Sequence, residues 1–105
     1  MTMPDSIKTF FDAERQGAEA LAAAFLEDAV VKDERARYVG LPAIRDWWRG
    51  AREKYQHTAT PIEVRGTGDA VSVRAVVTGP FPGSPATLTY NFTLRGRKIA
   101  ELEIR

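Results

Sequence analysis

Val71-Ser72-Val73-Arg74-Ala75-Val76-Val77-Thr78 alternates with period two: Val71, Val73, Ala75 and Val77 fall on one side, and Ser72, Arg74, Val76 and Thr78 on the other. Successive side chains of an extended chain point to opposite faces, so this stretch predicts a strand with one face in a core. The pattern spreads in both directions. Upstream, Ile62 and Val64 alternate with Glu63 and Arg65, and Gly66-Thr67-Gly68-Asp69 turns the chain between the two runs. Downstream, Gly79-Pro80-Phe81-Pro82-Gly83-Ser84-Pro85 is a stiff loop of turn formers. Beyond it Leu88, Tyr90, Phe92 and Leu94 alternate with Thr87, Thr89, Asn91 and Thr93, and Arg95-Gly96-Arg97-Lys98 turns into Ile99–Ile104. The second half therefore reads as a meander of long antiparallel strands, apolar on one face. Pro61 has no N–H to donate, so its strand is expected at a sheet edge.

The first half has a different period. Ile7, Phe10, Phe11 and Glu14 follow at spacings of three and four, which places the apolar members on one helix face. Asp5 or Ser6 is the expected N-cap, and Gly17 the stop. A second helix is expected from Ala18 to about Glu27, with Leu21, Ala22, Phe25 and Leu26 as its stripe. Ala29-Val30-Val31-Lys32-Asp33 is short and β-branched and predicts a strand. After a turn at Gly40, Pro42 suits the first turn of a third helix, where its missing N–H costs little. That helix carries Ile44, Trp48, Ala51 and Tyr55 on one stripe, with Trp47 at its edge. Arg45, Asp46, Arg49, Arg52 and Glu53 take the other side and read as a solvated face, with Arg49 and Glu53 as an i,i+4 pair. Helices first and strands after, with connections too short for parallel crossovers, give an α+β fold in which three N-terminal helices pack on a curved antiparallel sheet.

Composition narrows the function. The chain has 105 residues, which suits one domain, residues 1–105, and not two. Its 15 Lys and Arg nearly balance 14 Asp and Glu, so charge gives no reason to expect nucleic acid or an anionic membrane as partner. No run is long enough to span a bilayer. Met1-Thr2-Met3-Pro4-Asp5 lacks the basic and apolar regions of a signal peptide, and a cytoplasmic protein is the expectation. The absence of Cys excludes thiol redox chemistry and thiolate metal sites, and a single His excludes a zinc site of several imidazoles.

The pattern resembles the nuclear transport factor 2-like superfamily, in particular its SnoaL-like branch of ketosteroid isomerases and polyketide cyclases. The residues that carry the resemblance are Phe25-Leu26-Glu27-Asp28-Ala29-Val30-Val31-Lys32-Asp33, then Tyr38 and Gly40, then Ala43-Ile44-Arg45-Asp46-Trp47-Trp48, and the strands after Gln56. The resemblance implies a cone: a curved sheet wraps a helix layer and leaves an apolar pocket at its open end. It further implies a homodimer formed through the outer sheet face, where Arg74, Val76, Thr89, Asn91 and Thr93 are expected. No cofactor and no metal follow from it. Two functions stay open: proton transfer, isomerisation, cyclisation or dehydration of a small apolar carbonyl compound, and a non-catalytic ligand-binding or dimerisation domain.

Asp33 shares a strand face with Val31 and is expected to point into the pocket, at the position where the ketosteroid isomerase branch carries its general base. Apolar surroundings disfavour a carboxylate's charge and make it a stronger base. The competing reading pairs Asp33 with Arg35 or Arg37. The branch's first-helix Tyr and late-strand Asp, which stabilise a developing oxyanion, fall on Phe10 and Tyr90. Phe10 has no donor and Tyr90 has one, so steroid isomerisation by the family route is not implied. Asp33 as base and Tyr90 as hydrogen-bond donor remain as the catalytic pair. Phe10, Tyr38, Trp48, Tyr55, Val73 and Phe92 are the expected substrate-binding walls. Strand parity sends His57 outward if Ile62 and Val64 face inward, unless a bulge intervenes, and Arg74 likewise has the wrong parity to enter the pocket.

Overall fold

A computed structural model describes residues 2–105, without the Thr67 side chain; Met1, part of the N-terminus read above for a leader, lies outside the described residues. The chain runs α1 (Asp5–Asp12), a 3-10 turn (Ala13–Arg15), α2 (Ala18–Ala23), β1 (Phe25–Asp33), β2 (Ala36–Val39), α3 (Leu41–Tyr55), β3 (Thr58–Thr67), β4 (Ala70–Thr78), β5 (Ala86–Arg95) and β6 (Lys98–Ile104). The strands form one open sheet in the order β2-β1-β6-β5-β4-β3. The meander β3 to β6 is antiparallel, as the alternation predicts, and the Pro61 strand is an edge. The junction of β1 with β6 is parallel, because β1 enters the sheet from the helix layer rather than from a hairpin. Register shifts in three of the five strand pairings bend the sheet around the helices.

The core fills the concave face. Ile7, Phe10 and Phe11 of α1 and Ile44 of α3 pack against Val73, Phe92 and Leu102 of the sheet, each at most 6% exposed. Full burial of such side chains contributes about 1.5–3 kcal/mol each. No helix among the described residues is long and apolar enough to cross a membrane.

Several local readings change. Neither Asp5 nor Ser6 caps α1: Pro4 precedes the helix, its carbonyl accepts from Ile7 and Lys8 N–H, and Ser6 is buried. The first helix tightens into the 3-10 turn after Asp12, well before Gly17. The second helix stops at Ala23 rather than near Glu27. Ile99 N–H donates to the Ala24 carbonyl at 2.9 Å, and Phe25 pairs with Ile99, so sheet pairing captures the segment that helical spacing claimed. Strand β2 has no sequence signal of its own. It arises because Glu34 and Arg35 both adopt positive φ, 50° and 67°, and close a two-residue hairpin without glycine or asparagine.

The largest change is in β3. The register slips between Pro61 and Glu63, so Pro61 pairs with Ala75 and Glu63 with Arg74. Ile62 is the extra residue and is 49% exposed rather than inward. Before the bulge the parity is therefore inverted: Ala59 is partly buried while Thr58 and Thr60 are exposed. His57 turns inward with Ala59.

Candidate functional site

The open end of the cone holds a cavity of about 210 Å³. Its apolar walls come from α1 (Phe10, Phe11), α3 (Trp47, Trp48, Ala51) and the sheet (Val77, Leu88), and Phe81 of the β4–β5 loop closes one side against Tyr55, ring centres 5.8 Å apart. Five polar side chains enter it from different elements: Glu14, Asp33, Glu34, His57 and Tyr90.

Asp33 ends β1. It forms no ion pair with Arg35 or Arg37 among the described residues. Instead the Trp47 indole Nε1–H donates to its Oδ2 at 3.0 Å. Burial pushes the Asp33 carboxyl above its ordinary range, and the Trp47 hydrogen bond partly offsets this. Trp47 and Trp48 both border the cavity, and Trp47, tilted against Tyr38 at 6.1 Å, also borders the groove outside it.

Tyr90 faces the same space from β5 and is 4% exposed. Its hydroxyl makes no hydrogen bond to a described residue. Burial raises its pKa strongly, and the nearby charges of Glu14 and Asp33 raise it further, so it stays protonated across the physiological range. It is a donor held without a partner.

His57 lies half-buried near the Tyr55 ring, 6.2 Å between centres. Its Nδ1 is buried without a hydrogen-bond partner. Burial, then the Arg52 charge, lowers its pKa, so the imidazole is neutral at pH 7. Arg52 was read as part of the solvated face of α3. It folds inward over the Trp48 ring at 5.9 Å, donates to the His57 carbonyl and stands 3.8 Å from Glu14 Oε1. Arg49 and Glu53 remain exposed and form no ion pair with each other among the described residues.

Of the expected walls, Phe10, Trp48 and Tyr55 border the cavity beside Asp33 and Tyr90. Tyr38 does not; it lines a shallower groove outside the mouth. Val73 and Phe92 are core residues at 0% and 2% exposure and do not border the cavity; the Phe10 and Phe11 rings pack against Phe92. Tyr55 instead closes the mouth, its hydroxyl donating to Glu34. Arg74 is exposed on the outer face beside Glu63. The sequence reading passed over Glu14 and Trp47 as site residues and turned His57 outward by strand parity. Glu14 left one signal: a carboxylate at the fourth position of an otherwise apolar helical stripe. His57 faces inward because of the bulge at Ile62, the exception that strand parity allowed for.

No metal-binding group of three or more His, Asp or Glu exists among the described residues.

The family model for the SnoaL-like domain matches residues 7–102. A crystal structure of a candidate polyketide cyclase from Sinorhizobium meliloti is 46% identical, with a TM-score of 0.94 over 98% of this chain and 95% of that one. A protein with a ketosteroid isomerase-like fold from Catenulispora acidiphila, in complex with trimethylamine, is 21% identical, with a TM-score of 0.83 over 99% of this chain and 86% of that one. A candidate isomerase of the SnoaL-like family from Agrobacterium tumefaciens is 16% identical, with a TM-score of 0.79 over 94% and 92%. The last two share the fold. No curated protein matches the chain.

Proposed function

This chain belongs to the SnoaL-like domain family, and from that premise we propose that it binds a small, neutral, apolar carbonyl compound and moves a proton on it. The observation that carries the reading is a desolvated carboxyl, Asp33, and an unpartnered, protonated phenol, Tyr90, bordering one apolar cavity. Asp33 removes a proton from the carbon next to the carbonyl. The electron pair moves into the carbonyl, and Tyr90 donates a hydrogen bond to the oxygen where negative charge develops. Asp33 then returns the proton, to the same carbon or to another. The low dielectric around both groups strengthens that interaction.

Size and charge limit the substrate. The cavity of about 210 Å³ lies below the ~300 Å³ at which drug-sized pockets begin, which favours one or two rings over four. No Lys or Arg borders the cavity among the described residues, and Arg52 behind Glu14 is engaged by that side chain and the His57 carbonyl, which disfavours carboxylate or phosphate substrates. The Sinorhizobium relative's assignment as a candidate cyclase fits carbonyl chemistry. A non-catalytic binding domain is the weaker reading, because holding a neutral carbonyl compound calls for Tyr90's donor but not for a desolvated carboxyl beside it.

The test is deuterium incorporation from D₂O at the α-carbon of cyclohexanone, followed by NMR. Saturable exchange that falls about 10²- to 10⁴-fold in Asp33→Asn supports the reading. Exchange no faster than in buffer, or unaffected by Asp33→Asn, removes it.

The proposal extends to a homodimer through the outer sheet face. Supporting it are the small polar residues of that face, where Ser72 Oγ donates to Asn91 Oδ1 at 2.5 Å, and the partial burial of Val76 and Thr89 without a helix over them. Light scattering at micromolar concentration tests it, and a monomer mass refutes it.

A further inference from the structure

The proton-transfer reading gives no task to Glu14, yet Glu14 borders the same cavity. It stands on the 3-10 turn after α1, with its side chain 13% exposed. One oxygen takes all the contacts. Ala59 N–H donates to Oε1 at 2.8 Å, and Arg52 Nη1 lies 3.8 Å from that same atom. Oε2 makes no hydrogen bond among the described residues. A carboxyl pinned by one oxygen keeps its orientation and leaves the other oxygen to carry and exchange a proton. Burial pushes Glu14 above the ordinary carboxyl range, more than the Ala59 and Arg52 contacts lower it. Glu14 and Asp33 come from separate elements and border the same cavity as Tyr90.

With one carboxyl, the same group must both take the α-proton and give one back. A second carboxyl at the cavity can protonate a leaving group while Asp33 still holds the α-proton. We infer that Glu14 is the general acid partner of Asp33, and that the substrate class is a small β-hydroxy carbonyl compound, which the protein dehydrates. The inference rests on the proton-transfer reading above. Asp33 takes the α-proton and the electron pair enters the carbonyl as an enolate hydrogen-bonded by Tyr90. The pair then returns to form the carbon–carbon double bond as the β-carbon–oxygen bond breaks. Glu14 gives its proton to the departing oxygen, so one water leaves and an α,β-unsaturated carbonyl remains. Asp33 holds one proton gained and Glu14 lacks one, and exchange with solvent restores both. Oxidation state is unchanged, and no co-reactant is needed.

The competing account makes Glu14 a structural tie among the 3-10 turn, α3 and β3. A leaving-group comparison separates the two. The probes are 4-hydroxybutan-2-one, whose hydroxide must be protonated to leave, and 4-acetoxybutan-2-one, whose acetate departs without a proton. Both give but-3-en-2-one, read by its absorbance. Glu14→Gln keeps an oxygen for Ala59 N–H and so preserves the fold, which a melting curve checks. It is expected to slow the hydroxy probe about 10²-fold or more and the acetoxy probe far less. Arg52→Gln loosens the tie and removes a charge that lowers the Glu14 pKa, so the acid stays protonated and the hydroxy probe is not expected to slow relative to the acetoxy probe. Equal losses on both probes in Glu14→Gln, no loss on either, or the same change of ratio in Arg52→Gln overturn the inference. A wild-type protein that exchanges α-deuterium but eliminates from neither probe overturns this inference alone. One that does neither overturns the proton-transfer reading as well.

Discussion

Replacing Trp47 by Phe removes one hydrogen bond and leaves the ring wall largely in place. The indole Nε1–H donates to Asp33 Oδ2 at 3.0 Å, and it is the side-chain contact that offsets the burial of that carboxyl. A hydrogen bond to a charged, half-buried acceptor contributes about 2 kcal/mol, and one between neutral partners about 1 kcal/mol. The smaller ring forfeits about 1 kcal/mol of apolar burial, independent of pH. The expected destabilisation is therefore about 3 kcal/mol when Asp33 is ionised and about 2 kcal/mol when it is protonated. The bond favours the carboxylate, so its loss moves the Asp33 pKa further up. The extra penalty is full above the Asp33 pKa of the variant and disappears as pH falls through it. Urea unfolding of both proteins at pH 7 and pH 3 measures the two penalties, and a ¹³C titration of the carboxyl carbon follows Asp33 directly. Equal penalties at the two pH values, or an Asp33 titration that does not move upward in Trp47→Phe, would refute the assignment of this contact.

His57 supplies a second pH dependence. Its folded pKa lies below the ordinary 6.5, so the unfolded chain binds the proton more readily, and stability falls as pH drops from 7 through that ordinary value. The groups facing it are Arg52 and Tyr55. His57→Gln is expected to flatten the stability profile between pH 7 and 5.5, and a profile as steep as that of wild type would contradict the inward placement. Gly66 sits at φ 102°, and a Cβ there would lie 2.2 Å from the Ala70 carbonyl oxygen. Gly66→Ala is expected to cost about 1–3 kcal/mol by urea unfolding, and a neutral result would mean that the β3–β4 turn has another geometry.

The sheet was legible because it has a long memory in sequence. Alternation through Val71, Val73, Ala75 and Val77, and again through Leu88 to Leu94, fixes which face is buried without knowledge of any partner. The helix-to-strand change at Ala24 was not legible. Phe25 satisfies helical spacing after Leu21 as well as it satisfies a strand, and only pairing with Ile99, distant in sequence, decides between them. The same kind of limit hid part of the site. Asp33 could be read from its place on a β-branched strand, and Phe10 and Trp48 from their apolar stripes. His57 and Ala59 depend on one inserted residue, Ile62, whose effect is to invert the parity of everything before it. Val73 and Phe92 have the correct parity for the pocket, but parity says nothing of depth: both are core residues, and the rings of α1 pack against Phe92. Arg52 has the spacing of a solvated residue, yet its long side chain reaches from its backbone position to the His57 carbonyl and toward Glu14.

The central claim is that a small neutral carbonyl compound enters the cavity at Asp33. The measurement that bears on it most directly is an NMR titration of the ¹⁵N-labelled protein with cyclohexanone, observing the Trp47 and Trp48 indole N–H resonances and ligand contacts to Phe10 and Leu88. Saturable shifts of both indoles, with contacts to those two side chains, are the expected result. Saturation with shifts confined to the outer sheet face, or no saturable shift at either indole, would contradict it.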